Sequence, residues 1–433
     1  MDRRCLWPRA AVLVRARGVA ARWGASLWVV LLLGVLPPGL AGAASAASPA
    51  ASAPVATRPA LGSGVAVAPD GRLWWVGLDE VGRLFVRHTA GPGQDWSPPR
   101  WLEADSRISA DGENRPKIAF GPPGTPAAGQ VVITYTQPLA RPYTGAVRLL
   151  RSSDGGERFS APSTVHADRQ EITHRFDAVA FDAAGALHVA WIDKRDVEEA
   201  RAGGRAYRGA ALYRAVSHDG GAHFGPDTRV ADHSCECCRI ALSPAPGGGM
   251  AALWRHVFAP NERDHAFARW SASPDAPATP SVDPVRATED GWRLDACPHH
   301  GPGLSPAAGG GWHAVWFGVR GLDAQAQAAV RVGRLDGQGR PAGPVQVLPD
   351  PAAEHADIAS AGEQVVVVWR SFDGDRTRLR AWVSTDGGRQ FRLREIDATP
   401  LDNDHPRLLV RGGRFLVFWR TRQGAVVHDV PLS

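Results

Sequence analysis

The sequence predicts an all-β fold assembled from one repeated unit of short strands. Two observations carry this expectation. The first is texture. From about Leu61 to Ser433, short runs rich in Val, Trp, Leu and Ala alternate with Gly, Pro and Asp clusters, and no long segment keeps the 3.6-residue period of an amphipathic helix. The second is recurrence. One element returns seven times and ends in an aromatic residue, usually Trp: Leu73-Trp74-Trp75-Val76, Val132-Ile133-Thr134-Tyr135, His188-Val189-Ala190-Trp191, Ala251-Ala252-Leu253-Trp254, His313-Ala314-Val315-Trp316, Val366-Val367-Val368-Trp369 and Leu416-Val417-Phe418-Trp419. A shorter apolar strand and a Gly-containing turn precede each, as Ala178-Val179-Ala180-Phe181 and Ala184-Gly185 precede the third.

After most of these elements come a third strand and a turn of fixed form. It reads Ser152-Ser153-Asp154-Gly155-Gly156-Glu157-Arg158-Phe159, then Ser217-His218-Asp219-Gly220-Gly221-Ala222-His223-Phe224, then Ser384-Thr385-Asp386-Gly387-Gly388-Arg389-Gln390-Phe391. Asp accepts hydrogen bonds from the turn's own amides, Gly supplies positive φ, the Ser hydroxyl ties the turn to its strand, and the aromatic ring packs beneath. Looser copies occur at Asp95-Trp96, Ser273-Pro274-Asp275 and Asp336-Gly337.

The pattern S-x-D-G-G-x-x-F resembles the Asp-box (BNR) repeat of sialidase-like proteins, in phase with the Trp strands over nearly the whole chain beyond residue 60. The resemblance implies a β-propeller of four-stranded antiparallel blades. The units fall at about 62–104, 114–166, 174–231, 238–288, 297–349, 355–397 and 404–431, which makes seven blades. The last has only three strands, and residues 52–61 are placed to supply its outer one and close the ring. Merging that partial unit with the first gives six blades, the number the resemblance implies.

The N-terminal 44 residues have a different character. An Arg-rich stretch leads into the apolar run Leu27–Leu36, then Pro37-Pro38-Gly39 and small residues through Ala46. This describes a secretory signal peptide cleaved near Ala43 or Ala46, with an apolar core too short to span a bilayer comfortably. Residues 45–60 form an Ala/Ser/Pro lead-in, and 61–433 a single domain. The expected location is periplasmic or secreted, as a monomer without a membrane span after cleavage. The whole chain carries a formal charge of +5. Residues 1–45 hold six arginines and one acid, a net of 6 − 1 = +5, so the remainder sums to zero. A neutral domain has no net electrostatic drive toward nucleic acid.

Chemistry is expected on the links that join the outer strand of one blade to the inner strand of the next, since these ring the mouth of the central channel opposite the Asp turns. In order they read Asn114-Arg115-Pro116, His174-Arg175-Phe176, Cys235-Glu236-Cys237-Cys238-Arg239, Cys297-Pro298-His299-His300, His355-Ala356-Asp357 and Asp402-Asn403-Asp404-His405. All four cysteines after Cys5 and five histidines fall on them. Cys235, Cys237, Cys238, Cys297, His299 and His300 therefore form a candidate metal site. In extended chain, Cys235 and Cys237 share a side while Cys238 points away, and Cys297 shares a side with His299. Three thiolates and an imidazole favour copper first and zinc second. Two disulfides are the competing use of four cysteines in an exported protein, and would make the propeller a stapled platform for a periplasmic or outer-membrane partner protein. Taken singly, His174, His355 and His405 read as solvated or hydrogen-bonded rim residues rather than ligands, and the Trp strands as packing between blades.

The sialidase resemblance implies a further possibility, a glycoside hydrolase. That family binds the substrate carboxylate through three arginines and uses an Asp acid and a late Tyr nucleophile paired with Glu. Arg115, Arg175, Arg239 and Arg370 are the available arginines, and Asp111 or Asp177 the available acid. The four tyrosines are Tyr135, Tyr143, Tyr207 and Tyr213, with none later, and no Arg-Ile-Pro motif opens the domain. The expectation leans away from an enzyme.

Overall fold

The computed structural model describes residues 60–271, 284–321 and 325–433; the signal peptide, most of the lead-in, its proposed closing strand and the copy at Ser273-Pro274-Asp275 lie outside them. The described chain forms seven antiparallel sheets, six of four strands and one of three, with a single eight-residue helix, Arg195–Ala202. This is a seven-bladed β-propeller, and the count of seven rather than six holds. The innermost strands are Gly64–Val67, Lys117–Phe120, His174–Phe181, Ala241–Pro244, Gly303–Pro306, Glu354–Ala361 and Arg407–Arg411. Each lies beside the next, and the last lies beside the first, so the ring closes.

Every Trp-ending element is the second strand of its blade, from Leu73–Leu78 to Arg414–Thr421. The run Val365–Trp369 shows why these strands are continuously apolar. Val365, Val367 and Trp369 pack against Val315 and Val330 of the fifth blade, while Val366 and Val368 pack against Val417 and Trp419 of the seventh. Alternating side chains meet different neighbours, so both faces are buried and neither can be polar. Trp191, Trp254, Trp369 and Trp419 are each fully enclosed.

The three Ser/Asp/Gly turns repeat one hydrogen-bond set. Ser152 Oγ lies 2.7 Å from Asp154 Oδ1 and accepts from Gly156 N at 2.9 Å, while Asp154 Oδ1 accepts from Arg158 N at 3.0 Å. Ser217/Asp219 and Ser384/Asp386 form the same contacts with Gly221 and His223, and with Gly388 and Gln390. The second glycine is required twice over. Gly156 has φ of 92° and a Cβ there would lie 2.9 Å from the Trp74 ring.

Among the described residues the seventh blade keeps three strands, and its seam with the first is made by side chains. Arg420 donates to Leu78 O at 2.6 Å and Ser63 Oγ at 2.8 Å and sits 5.2 Å over the Trp75 ring. Trp96 Nε1 donates to Ala425 O at 2.8 Å, and Arg115 pairs with Asp404 at 2.9 Å. No helix among the described residues is long and apolar enough to cross a membrane.

Two substitutions separate the packing from the turns. Trp191→Ala empties a site where the whole side chain is enclosed, and is expected to cost about 3–5 kcal/mol in urea unfolding. Ser217→Ala removes a buried hydroxyl that serves only its own turn, and should cost about 1 kcal/mol. Equal costs for the two would mean that the blades are held by their turns rather than by interblade packing.

Candidate metal centre

The links of the second, fourth, fifth, sixth and seventh blades meet one another around Glu113. Beneath them, inside the ring, is a cavity of about 230 Å³ lined by the first residues of the inner strands and by Arg115, Lys117, Arg239, Arg407, Glu113 and Asp357. Above it the residues divide into two groups of different chemistry.

The first group is sulfur-rich. The link Cys235–Arg239 leaves the outer strand Thr228–Ser234 with Cys235 N bonded to Arg255 O at 2.9 Å. It then bends instead of continuing extended. That corrects the expectation for Cys238: all three thiols converge, with Cys235 and Cys237 Sγ 3.8 Å apart and Cys237 and Cys238 Sγ 3.9 Å apart. All three residues are buried. Cys237 belongs to a second set as well, with Cys297 and His299 of the next blade, whose ligand atoms lie within 4.8 Å of one another. Cysteine sulfurs bound to one tetrahedral ion at about 2.3 Å stand roughly 3.8 Å apart, whereas a disulfide brings them to about 2.05 Å. Cys235, Cys237, Cys238 and Cys297, the cysteines among the described residues, are all free in this structure. His299 is held at φ of 51°, a left-handed conformation uncommon outside glycine.

The surroundings favour sulfur anions. Arg263 Nη1 lies 3.5 Å from Cys235 Sγ, and Arg263 is fixed by Leu294 O at 3.0 Å. The Cys235 thiol is held well below its ordinary value, first by hydrogen bonds from Cys237 and Cys238 and then, against burial, by Arg255 and Arg263. Cys237 is pushed up chiefly because its proton is shared with Cys235, and Cys238 chiefly by burial. Cys297 is lowered by its hydrogen bond from Cys237. Two thiols of the set, Cys235 and Cys297, are thus lowered and two, Cys237 and Cys238, are raised, and a bound cation would displace the protons that remain.

His300 departs from the expected site. As the immediate neighbour of His299 it turns to the opposite side and stacks on Phe317, with ring centroids 4.2 Å apart, and on His355 at 4.4 Å. His355 stacks in turn on His405 at 3.5 Å. His355 and His405 are not solvated, a correction to the sequence reading, since both are about nine-tenths buried; His174 is the hydrogen-bonded case, fully enclosed between Asp168 and Asp193 with its Nδ1 3.3 Å from Gly145 O. Burial, followed by the neighbouring imidazole, lowers His300 to about 2 and carries His405 well below its ordinary value. The stack is therefore neutral.

Beside the stack lies a residue that sequence reading missed. Glu113 is buried and accepts from Arg239 Nη1 at 2.7 Å, Arg239 N at 2.9 Å and Gly301 N at 2.8 Å. Burial alone would raise its carboxyl, but the Arg239 guanidinium beside it outweighs that and holds it far below the carboxylate range. Asp111 shapes the turn that presents it, accepting from Glu113 N at 3.0 Å and Asn114 N at 2.8 Å. Only glycine fits at 301, because a Cβ there would stand 2.7 Å from Glu113 Oε2. The one signal in the sequence was Asp111-Gly112-Glu113-Asn114 opening a link, which reads equally well as an ordinary turn.

The glycosidase candidates are mostly part of the frame. Arg115 is buried against Asp404, Arg239 against Glu113, and Arg370 pairs with Glu354 at 2.9 Å and donates to Asn403 O at 2.8 Å. Arg175 lies over the Phe176 ring at 5.1 Å. Asp177 is fully enclosed, accepting from Thr134 Oγ1 at 2.6 Å and Lys117 Nζ at 3.1 Å, while Asp111 is exposed at its turn. Tyr135 and Tyr207 donate to Asp105 and Asp232, and the carboxylates and burial raise both phenols.

The sequence matches no protein-family profile and no curated protein. In fold it is similar to an ulvan lyase of polysaccharide lyase family PL25, at 13% identity and a TM-score of 0.55, over 87% of this chain and 95% of that one. Less similar are an α-L-arabinanase from Penicillium chrysogenum (11% identity, TM-score 0.47, 86% and 93% covered) and an α-L-arabinofuranosidase from Fusarium graminearum (10%, 0.45, 85% and 92%). At such identities the likeness bears on the propeller fold alone.

Burial of neutral imidazoles elsewhere in the domain sets an acid limit. His166 is lowered to about 3 and His313 to about 4, both chiefly by burial. A base whose folded value lies below its unfolded value of about 6.5 contributes its full stability above that pH and loses it as pH falls toward the folded value. The melting temperature of metal-free protein should therefore be flat from pH 8 to 7 and fall steadily from 6.5 to 4. A maximum near pH 5 would contradict neutral burial.

Proposed function

We propose that this chain is an exported propeller that binds a transition metal through Cys235, Cys237, Cys238, Cys297 and His299 at the channel mouth, copper first and zinc second, in periplasmic metal handling. The observation that carries the reading is that three thiols from two blade links, Cys235, Cys238 and Cys297, lie near that of Cys237 in two ligand sets that share it. Thiolate and imidazole are the donors that Cu(I) and Zn(II) prefer. Because Cys237 belongs to both ligand sets, its sulfur can serve one four-coordinate ion or bridge two. The scaffold supports this use: Cys235 is anchored to the second strand of the fourth blade, so its ligand atom sits on a packed frame rather than on a free loop. His300, part of the original candidate set, lies with the imidazole stack and is left out of this site.

Protein isolated from metal-replete cells is expected to carry copper or zinc in near-stoichiometric amount by elemental analysis and to show few reactive thiols until a chelator is added. The Cys235→Ser/Cys237→Ser variant should lose tight binding while keeping its circular dichroism, because hydroxyls are poor replacements for thiolates. Two disulfides mapped in metal-replete protein, or unchanged affinity in the double variant, would overturn the proposal. Since ligation must displace the protons held on Cys237 and Cys238, apparent affinity should weaken as pH falls from 8 to 6.

The same geometry argues against sialidase-type hydrolysis. Three of the four candidate arginines are held in ion pairs within the wall, and no tyrosine follows Tyr213. No fluorophore release above background is expected from a sialoside. Turnover abolished by Arg175→Ala would reverse that ranking.

A further inference from the structure

Two residues in the link Cys297–His300 point in opposite directions: His299 toward the sulfur cluster, and His300 toward the stack His300–His355–His405. What the stack faces is Glu113. Its Oε1 lies 3.7 Å from His355 Nδ1 and 3.6 Å from His405 Nδ1, and all three ligand atoms lie within 4.8 Å of one another. These separations are longer than hydrogen bonds. Nitrogen and oxygen donors held at about 2.1 Å from a common ion are spaced roughly this way.

The stack also leaves its polar atoms without partners. Nδ1 of His300, His355 and His405 are all buried and without hydrogen-bond partners. Native interiors rarely leave three adjacent polar nitrogens unsatisfied. His355 is in addition held at φ of 52°, in the left-handed region. Strain of this kind at a non-glycine residue is concentrated at functional sites. Gly112 is fitted to the same arrangement, since a Cβ on it would strike the His405 ring at 2.2 Å. On its other side His405 borders a surface pocket of about 490 Å³, shared with Gly112, Glu354 and Arg370, which gives an ion a way in.

We infer that Glu113, His355 and His405 form a second metal site, separate from the sulfur cluster, which takes a divalent first-row ion in nitrogen and oxygen coordination. His300 stacks on His355 and fixes its ring plane. The donor set is harder than the thiolate cluster and selects differently: imidazole and carboxylate suit divalent copper or zinc, while thiolates suit Cu(I). Arg239, bonded to Glu113, takes the place of the outer partner that orients a ligating carboxylate. The site does not rest on the sulfur cluster, and either can exist without the other.

Cobalt(II) distinguishes them, because thiolate ligation gives an intense charge-transfer band in the near ultraviolet and nitrogen–oxygen ligation does not. Full-length mature protein titrated anaerobically with cobalt(II) should show a bound population without that band. A variant with Cys235, Cys237, Cys238 and Cys297 all replaced by Ser should lose the band and still bind one ion per chain. His405→Leu or His355→Phe, in the otherwise native protein, should remove that ion and leave the band intact. If the four-serine variant does not fold, the comparison of native protein with His405→Leu and His355→Phe decides alone. Identical stoichiometry and visible spectra in native protein and in both histidine variants would overturn the second site. Native protein that binds one ion with no charge-transfer band at any stage of the titration would sink only the sulfur site and leave the second site standing.

Discussion

One buried carboxylate organises the channel mouth. Glu113 comes from the link entering the second blade, yet its bonds reach Arg239 at the fourth and Gly301 at the fifth, and it faces His355 of the sixth and His405 of the seventh. An unpaired charge in such a position would be prohibitive, and Arg239 makes it tolerable. The pair is charge-assisted and directional, so it fixes the distances between links that no strand connects. The sulfur cluster lies on the same Arg239-bearing link. Its position is therefore set partly by a carboxylate that touches none of the thiols.

The local parts of the architecture were legible in the sequence. A strand buried on both faces must be apolar at consecutive positions, so the seven Trp-ending runs marked the second strand of every blade. A turn that satisfies its own amides through Ser and Asp must repeat those residues at fixed spacing, so it too could be read. Contacts across the ring leave no such trace. Glu113 is one acid in a short polar turn, and nothing within ten residues shows that it meets a guanidinium 126 positions away. Cys238 was misplaced because period-2 alternation holds only in extended chain, and the link bends. The same alternation did separate His299 from His300, but the sequence could not show that the second ring had a stack to join. His355 and His405 were taken for rim residues because single histidines usually are.

The arginines illustrate how a family resemblance and a structure can part company. The positions that the sialidase likeness offered for binding a substrate carboxylate are filled by arginines whose carboxylates are already supplied from within: Asp404 for Arg115, Glu113 for Arg239, Glu354 for Arg370. Here charges of both signs meet near the axis and pair with one another, and such pairs look in sequence like a catalytic set. What distinguishes this ring chemically is its thiols and imidazoles. The ulvan lyase of similar fold shares its propeller fold without bearing on that chemistry.

Among the described residues the seam between the first and seventh blades is held by side chains, with Arg420, Arg411, Trp96 and the Arg115–Asp404 pair among them. Asp404 is the residue immediately before His405, and its carboxylate accepts from Ser63 N of the first blade at 3.0 Å. Ring closure and the placing of His405 are thus one event. Separating the two end blades would draw His405 away from Glu113, and holding His405 against Glu113 opposes that separation to the same degree. By thermodynamic reciprocity the end-to-end cohesion of the propeller and the integrity of its central cluster are a single quantity, measured from two places.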